Sequence, residues 1–454
     1  MMFIGPILSL IFIAIVAKLL LSKVYPHAVL LIAGLLMMGL ALVLQFNMPK
    51  LDNPTGLGGF DLFRYIKESF SSINAGVGLM IMSIGGFVAY THKIGASNAL
   101  VQLAMRPLRI FKNHPHLTAV FVIPIGQILF ICIPSAAGLS LLLMASIFPI
   151  LLNLGVSRIS AASVITACTA FGIGPASAIT ASASSIAEIP TINYFIDEQL
   201  MLIIPLNLTL MIVYYFTNRY FDKKGGEEII ETEFSKEDTH EAPPHYAIIP
   251  VLPLVLLIVF SDLFSFFESP IVLDTTTAMI ISLFAAMVFE LIRLKSFTAV
   301  LKSLKTFWDG MGEIFKTVVT LIIAADIFAK GLIALGFVDG LVSLSEGAGL
   351  GYIGITVVLA LMIYLASMMM GSGNAAFFAF GPLVPKIAGN LGVSSTSILL
   401  PMNLAASMGR TVSPVAGVII ATAEIAGVTP LQIVKRNLIP LSAGLIVLLI
   451  AHFL

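Results

Sequence analysis

Charge is what this sequence most lacks. Of 454 residues only 11% are Asp, Glu, Lys or Arg, against 58% apolar and a mean hydropathy of +1.04. Water-soluble domains carry about 25% charged residues, so the composition excludes one and places the chain in a bilayer. The 24 basic and 24 acidic residues cancel, and nothing electrostatic asks for a nucleic-acid partner. Cysteine is rarer still. Cys132 and Cys168 each sit inside an apolar run, which argues against a disulfide framework or a metal cluster. The opening MMFIGPILSLIFIAIVAKLLL has no basic residue before its apolar run and no small-residue cleavage site, so it reads as a retained span rather than a signal peptide. Neither HExxH nor GxSxG occurs, and no buried acid pair stands at helical spacing, which leaves a membrane enzyme little support. No cofactor or metal is called for.

What is present is long apolar sequence. Runs able to cross roughly 30 Å of hydrocarbon fall at about 3–22, 27–46, 76–92, 118–152, 160–190 and 199–218. Six more fall at about 246–264, 272–292, 311–333, 352–389, 395–425 and 438–454. Between the two sets lies the one long polar stretch, 222–245, with eight acids against three lysines and no apolar periodicity; it reads as a charged cytoplasmic linker.

The halves repeat each other. Asn153-Leu154-Gly155-Val156-Ser157 recurs as Asn390-Leu391-Gly392-Val393-Ser394, an offset of 237 that also pairs Ser135 with Ser372 and Gly172 with Gly409. Pro175 pairs with Pro414 at 239, and Gly95 with Gly336 at 241. So small a drift over this length argues for a duplicated unit, 1–221 and 246–454.

Seventeen of the 24 basic residues fall in alternate connections, which places those connections in the cytoplasm; Lys50, Arg64 and Lys67 fall on the other side. This works only if 118–152 and 352–389 enter and leave on one face, and as single helices both would overshoot the bilayer. Both read as re-entrant helical hairpins, opening from opposite faces. The expected fold is therefore an all-α polytopic membrane protein of two inverted repeats, each with a hairpin (118–152 and 352–389) and a broken helix (160–190 and 395–425). That is the architecture of a secondary transporter.

A non-helical turn at membrane depth survives only where it is buried in protein or lines a wet cavity. Ile133-Pro134-Ser135-Ala136-Ala137-Gly138 breaks the first hairpin, and Met370-Gly371-Ser372-Gly373-Asn374-Ala375 breaks the second at the matching place. Their small residues admit a ligand to the backbone, and the hydroxyls and amide can hydrogen-bond it; the plainer reading is close helix packing. Gly172-Ile173-Gly174-Pro175-Ala176-Ser177 and Gly409-Arg410-Thr411-Val412-Ser413-Pro414 split the other two spans. The half-helix leaving each break presents free N–H groups, an anion site. Arg410 is the informative residue: an unpaired Arg inside such a run costs several kcal/mol, so an anion must reach it. Either a substrate carboxylate takes its planar fork, or Glu424 or Asp326 forms a structural ion pair with it. Ile173 stands opposite Arg410 in the first repeat, so the site is chemically asymmetric. Lys386 is expected to snorkel to the interface, and Asp326 and Lys330, spaced i, i+4, to pair on one helix. Ser97 to Phe111 and Val338 to Ser345 read as lateral arms on the membrane surface.

With the repeat established, the chain resembles the DcuC family of anaerobic dicarboxylate carriers, within the wider ion-transporter superfamily. Four stretches carry the likeness: GGFVAYTHKIGASNALVQLAMRPL (85–108), AAGLSLLLMASIFPILLNLGVSR (136–158), GSGNAAFFAF (371–380) and MGRTVSPVAGVIIATAEIAGVTPLQIVKR (408–436). The resemblance implies an inner-membrane carrier of C4-dicarboxylates such as succinate, fumarate and malate, with an elevator fold and a dimeric scaffold. The sodium-coupled relatives carry Ser-Asn-Thr at both hairpin tips; this chain has Ser135-Ala136-Ala137 and Ser372-Gly373-Asn374, which favours proton coupling or exchange over sodium. The candidate substrate-binding set is Ser135, Ala136, Gly174, Ser177, Ser372, Gly373, Asn374, Asn403, Ser407, Arg410, Thr411 and Ser413. The rival readings are a cation/proton antiporter, which would want a carboxylate at the midplane, or a carrier of another small carboxylate or amino acid.

Overall fold

The computed structural model describes residues 4–22, 24–107, 114–225, 242–261, 271, 273–347, 349 and 351–454. Most of the 222–245 linker and the end of the 97–111 arm lie outside them. Every described element is helical, as a hydrocarbon solvent demands of a backbone that has no water to bond. Eight helices among the described residues are long and apolar enough to cross a membrane.

The element order runs twice. In the first half Ile4–Leu21 and Pro26–Val43 precede a long helix, a short arm (Ala96–Ala104) and a hairpin of Pro115–Cys132, Ala136–Ser146 and Phe148–Asn153. A split span, Arg158–Ala167 and Ala178–Ile186, and a last long helix ending at Gly225 follow. In the second half Pro244–Val259 and Thr275–Leu294 precede a long helix, an arm (Phe337–Gly347) and a hairpin of Gly351–Met370, Gly373–Phe380 and Val384–Leu391. Thr396–Thr411, Gly417–Ala426 and Pro430–Phe453 complete it. Each arm follows a left-handed glycine, Gly95 at φ +79° and Gly336 at φ +73°, a conformation that costs glycine no steric strain.

The two long helices differ from the apolar runs at 76–92 and 311–333. Phe297–Ala334 is continuous, carried through a π-helical turn at Phe315–Val319, whereas Gly58–Lys93 passes through the matching turn at Asn74–Gly78 with a kink at Gly76 (φ −101°, ψ −110°). Their leading halves are amphipathic, with Asp61, Arg64, Lys67 and Glu68 in one and Lys302, Lys305, Asp309 and Glu313 in the other. Averaged hydropathy hides such a leading half, although it is helical in both.

These helices sort into two packed groups. In one, Pro26–Val43 lies along Thr320–Ala334, and Leu79–Lys93 lies along Phe297–Ile314 and Thr275–Leu294. Their backbones approach closely, since a Cβ at Gly34 would stand 2.5 Å from the Ile327 carbonyl oxygen. The other group holds the hairpins, the split spans and the two last helices, which pack on each other. Asp222 ties part of it together at one end. Its carboxylate takes Arg436 Nη2 at 2.9 Å and the hydroxyls of Ser157 and Ser160, while Arg436 Nη1 donates to the Asn218 carbonyl. Lys386 reaches the second arm. Its Nζ meets Asp339 of the second arm at 2.8 Å, beside a cavity of about 600 Å³.

Candidate functional site

The two hairpin tips share one local geometry. Ser135 (φ −114°, ψ 105°) caps Ala136–Ser146, its Oγ accepting the Gly138 N–H at 3.1 Å. Ser372 (φ −136°, ψ 107°) caps Gly373–Phe380, its Oγ accepting the Ala375 N–H at 3.2 Å. Serine does this because its short hydroxyl satisfies an N–H that the first helical turn leaves free. Gly371 (φ +73°) and Gly373 let the second tip lie on the backbone of its own half of the chain. A Cβ at Gly371 would meet the Val415 and Ala416 backbone at 2.9 Å, and one at Gly373 the Ala406 carbonyl oxygen at 2.7 Å.

The returning arm of each hairpin crosses to the other half. Ala136–Ser146 packs on Gly417–Ala426, and Gly373–Phe380 packs on Ala178–Ile186. The second half-helix of each split span is thus held by the opposite hairpin. Neither half-helix is capped by a side chain at its N-terminus, where Ser177 and Ala416 stand, so their leading N–H groups and positive dipole ends meet no side-chain acceptor there.

The breaks themselves are in contact. A Cβ at Gly172 would lie 2.4 Å from Ser407 Oγ, so with this serine rotamer the approach requires glycine. Asn403 Nδ2 donates to the Gly172 carbonyl at 3.3 Å, and its Oδ1 accepts from Gln199 Nε2 at 2.7 Å. Gln199 Oε1 takes the Gly174 N–H at 3.0 Å, and Nε2 also donates to Thr180 Oγ1, which donates in turn to the Gly172 carbonyl. Gly174 (φ +94°) leaves no room for a Cβ, which would stand 2.8 Å from Ile131 of the first hairpin. The network is fully buried and its amides are satisfied, which makes the crossing rigid.

Arg410 stands at the edge of this crossing, in the last turn of Thr396–Thr411. Its Nη2 donates to the Thr169 carbonyl of the first split span, and its buried Nε has no partner. Among the described residues no carboxylate comes within ion-pair distance. Asp326 is taken by Lys330, and Glu424 is exposed on Gly417–Ala426. The ion-pair reading of Arg410 is therefore not realised. Ser367 packs against the neighbouring Gly409, and its Oγ, also fully buried, is unpartnered too. Buried polar atoms left unpaired are costly, and here a cation and a hydroxyl are left so within one turn of the break.

Gly174, Ser177, Asn403, Ser407, Arg410, Thr411 and Ser413 all belong to the split spans, all buried except the half-buried Arg410, with glycine at 174 tightly packed. Asn403 and Gly174 spend their hydrogen bonds on the protein, Thr411 donates to the Ser407 carbonyl, and Ser413 Oγ accepts the Val415 N–H. Ser372, Gly373 and Asn374 lie on the same break, with Asn374 half-buried and its side chain free of hydrogen bonds among the described residues. Ser135 and Ala136 sit at the other tip and make no hydrogen bond to the Arg410 group. Gln199, Thr180, Thr169 and Ser367 escaped the sequence reading. Gln199 did leave a signal, a neutral amide at the edge of an apolar run, but its aim depends on the π-helical turn Tyr194–Gln199 that precedes the long helix.

The profile of the C4-dicarboxylate anaerobic carriers matches residues 4–454. The chain belongs to the DcuC family. It is 32% identical over 452 residues to the anaerobic C4-dicarboxylate transporter DcuC of Escherichia coli, covering 99% of this chain and 96% of that one. It is also 32% identical to a probable DcuC of Vibrio cholerae, over 94% of this chain and 92% of the relative. Two solved structures share the fold. The YdaH transporter of Alcanivorax borkumensis superposes with a TM-score of 0.63 at 13% identity, over 94% of this chain and 98% of that one. MtrF of Neisseria gonorrhoeae, described as an antimetabolite efflux pump, gives 0.57 at 14% identity, over 94% of each chain. As a DcuC family member the chain is a multi-pass membrane transporter, and such carriers sit in the inner membrane of bacteria.

Proposed function

We propose that the chain carries small C4-dicarboxylates, succinate, fumarate and malate among them, by proton-coupled transport or exchange. The observation that carries this reading is Arg410, a guanidinium at the contact of the two split spans with no carboxylate of its own. A substrate carboxylate would take the place of that missing anion, with the uncapped N-terminus of Gly417–Ala426 and the Ser367 hydroxyl beside it. The second carboxylate would reach the hairpin tips at Ser135, Ser372 and Asn374. The pseudo-symmetric packing of each returning arm on the opposite half supports two inverted repeats, and the packing of hairpins and split spans largely on one another supports an elevator carried by a dimeric scaffold. A cation/proton antiporter is less well supported, because the midplane cation has no acidic neighbour within ion-pair distance among the described residues.

The test is counterflow of labelled succinate into proteoliposomes loaded with unlabelled succinate, fumarate, malate or a monocarboxylate. The dicarboxylates should drive exchange and the monocarboxylate should not. Exchange driven equally by a monocarboxylate, or none with any dicarboxylate, would overturn the reading.

A further inference from the structure

A polar triad lies within the first packed group, on helices outside the hairpins and split spans. Asp326 Oδ2 accepts from Lys330 Nζ at 2.7 Å and from Ser69 Oγ at 2.6 Å, and Lys330 Nζ also donates to Ser69 Oγ at 2.7 Å. Ser69 has no exposed surface, while the Asp326 and Lys330 side chains are 23% and 25% exposed. The second carboxylate oxygen, Oδ1, meets no donor among the described residues. Asp326 stands eight residues before the end of Thr320–Ala334, about 12 Å along the axis.

The internal repeat shows that the architecture does not require these charges. The offset of 241 that pairs Gly95 with Gly336 pairs Gly85 with Asp326, Ala89 with Lys330 and Ser69 with Gly310. At the matching crossing the three small residues close directly. A Cβ at Gly310 would stand 2.7 Å from Ala89 Cβ, 3.0 Å from the Gly85 carbonyl oxygen and 3.0 Å from Gly86 Cα. One copy of the crossing thus packs on glycine and alanine, and the other holds an ion pair within a helix long and apolar enough to span a membrane, where desolvation works against it.

We propose that Asp326 is a proton-binding site of the transport cycle, with Lys330 as counter-charge and Ser69 as the hydroxyl between them; this rests on the proton-coupled reading above. A proton arriving from water adds to the free Oδ1, the carboxyl becomes neutral, and the Lys330 ammonium keeps its charge but loses its ion pair. Release returns that proton to water and restores the pair. Thr320–Ala334 also packs on Gly373–Phe380, where Phe328 meets the Phe380 ring edge-on at 6.2 Å, so the charge state of the triad is adjacent to the returning arm of the second hairpin. The elements packed on this helix carry few other ionisable groups. Pro26–Val43 has His27 alone, Gly373–Leu383 has none, Phe315–Val319 has Lys316, and Phe337–Gly347 has Asp339 and Glu346. Gly58–Ile73 adds Asp61, Arg64, Tyr65, Lys67 and Glu68, and among the described side chains Asp326 forms its ion pair with Lys330 of its own helix.

The experiment uses the full chain in proteoliposomes, comparing wild type, Asp326→Asn, and the neutral pair Asp326→Asn with Lys330→Gln, which retains an amide hydrogen bond. Labelled succinate is followed in counterflow at equal pH and in net accumulation under a pH gradient. Acid-induced carboxyl bands are read by infrared difference spectroscopy on the same protein without substrate. Counterflow should stay within about twofold of wild type in at least one variant, accumulation should fall to the equilibrium level, and one carboxyl band should vanish. Undiminished gradient-driven accumulation in either variant, a wild type indifferent to the gradient, or loss of counterflow in both variants would overturn the proposal. Should wild type exchange no succinate at all, the carrier reading fails, and an unchanged carboxyl band in Asp326→Asn would separately remove the proton site.

Discussion

Gly172 lies against Ser407, so close that a single added methyl would come within 2.4 Å of the hydroxyl oxygen while remaining 3.6 Å from Ser407 Cβ. The contact joins the two split spans at their breaks and leaves no slack between them. Gly172→Ala should therefore cost about 1–3 kcal/mol through overpacking and lower succinate exchange sharply. Adding Ser407→Ala removes the offending oxygen and leaves an ordinary contact, so the double variant should recover thermal stability. Equal instability of the single and double variants would show that the approach is not limiting.

Arg410→Lys keeps the charge and loses the planar fork. Affinity for succinate should fall by about 1–3 kcal/mol, the range for a lost charge-assisted hydrogen bond, as read from the concentration dependence of counterflow. Because Glu424 is exposed and unpaired with Arg410, exchanging the charges in an Arg410→Glu, Glu424→Arg double variant should not restore transport. Restoration would move Arg410 from the substrate to a structural pair.

The hairpin tips separate capping from binding. Ser135→Ala and Ser372→Ala each remove an N-cap, a loss of about 1 kcal/mol of local helix stability, whereas Ser372→Thr keeps the acceptor. Asn374→Ala touches no cap and should raise the succinate KM without lowering the melting temperature. An unchanged KM for Asn374→Ala would leave the second tip with packing alone.

Gln199→Leu strands the Gly174 N–H and one side of Asn403 in a buried site, which should destabilise the protein by about 1–3 kcal/mol. Gln199→Glu keeps the acceptor for Gly174 but cannot donate to Asn403 or Thr180, and it too should impair exchange. Thermal unfolding in detergent checks the first expectation and counterflow the second; a wild-type melting temperature for Gln199→Leu would show that the network is dispensable.

The sequence by itself determined the membrane class, the doubled element order and the places where apolar runs must break. Each of these follows from rules local to a segment: hydrocarbon length, the steric freedom of glycine, and the backbone bond that proline removes. Ser135 and Ser372 were legible because a hydroxyl between small residues stands out in an apolar run. The long helices were not, since an amphipathic half fails a hydropathy average while remaining helical. Only the tertiary structure decided which groups meet. It brought Gln199 to Asn403 across 204 residues and Ser69 to Asp326 across 257, and it left Arg410 without an acid. Such pairings depend on helix rotation and crossing, which a linear pattern of side chains does not encode.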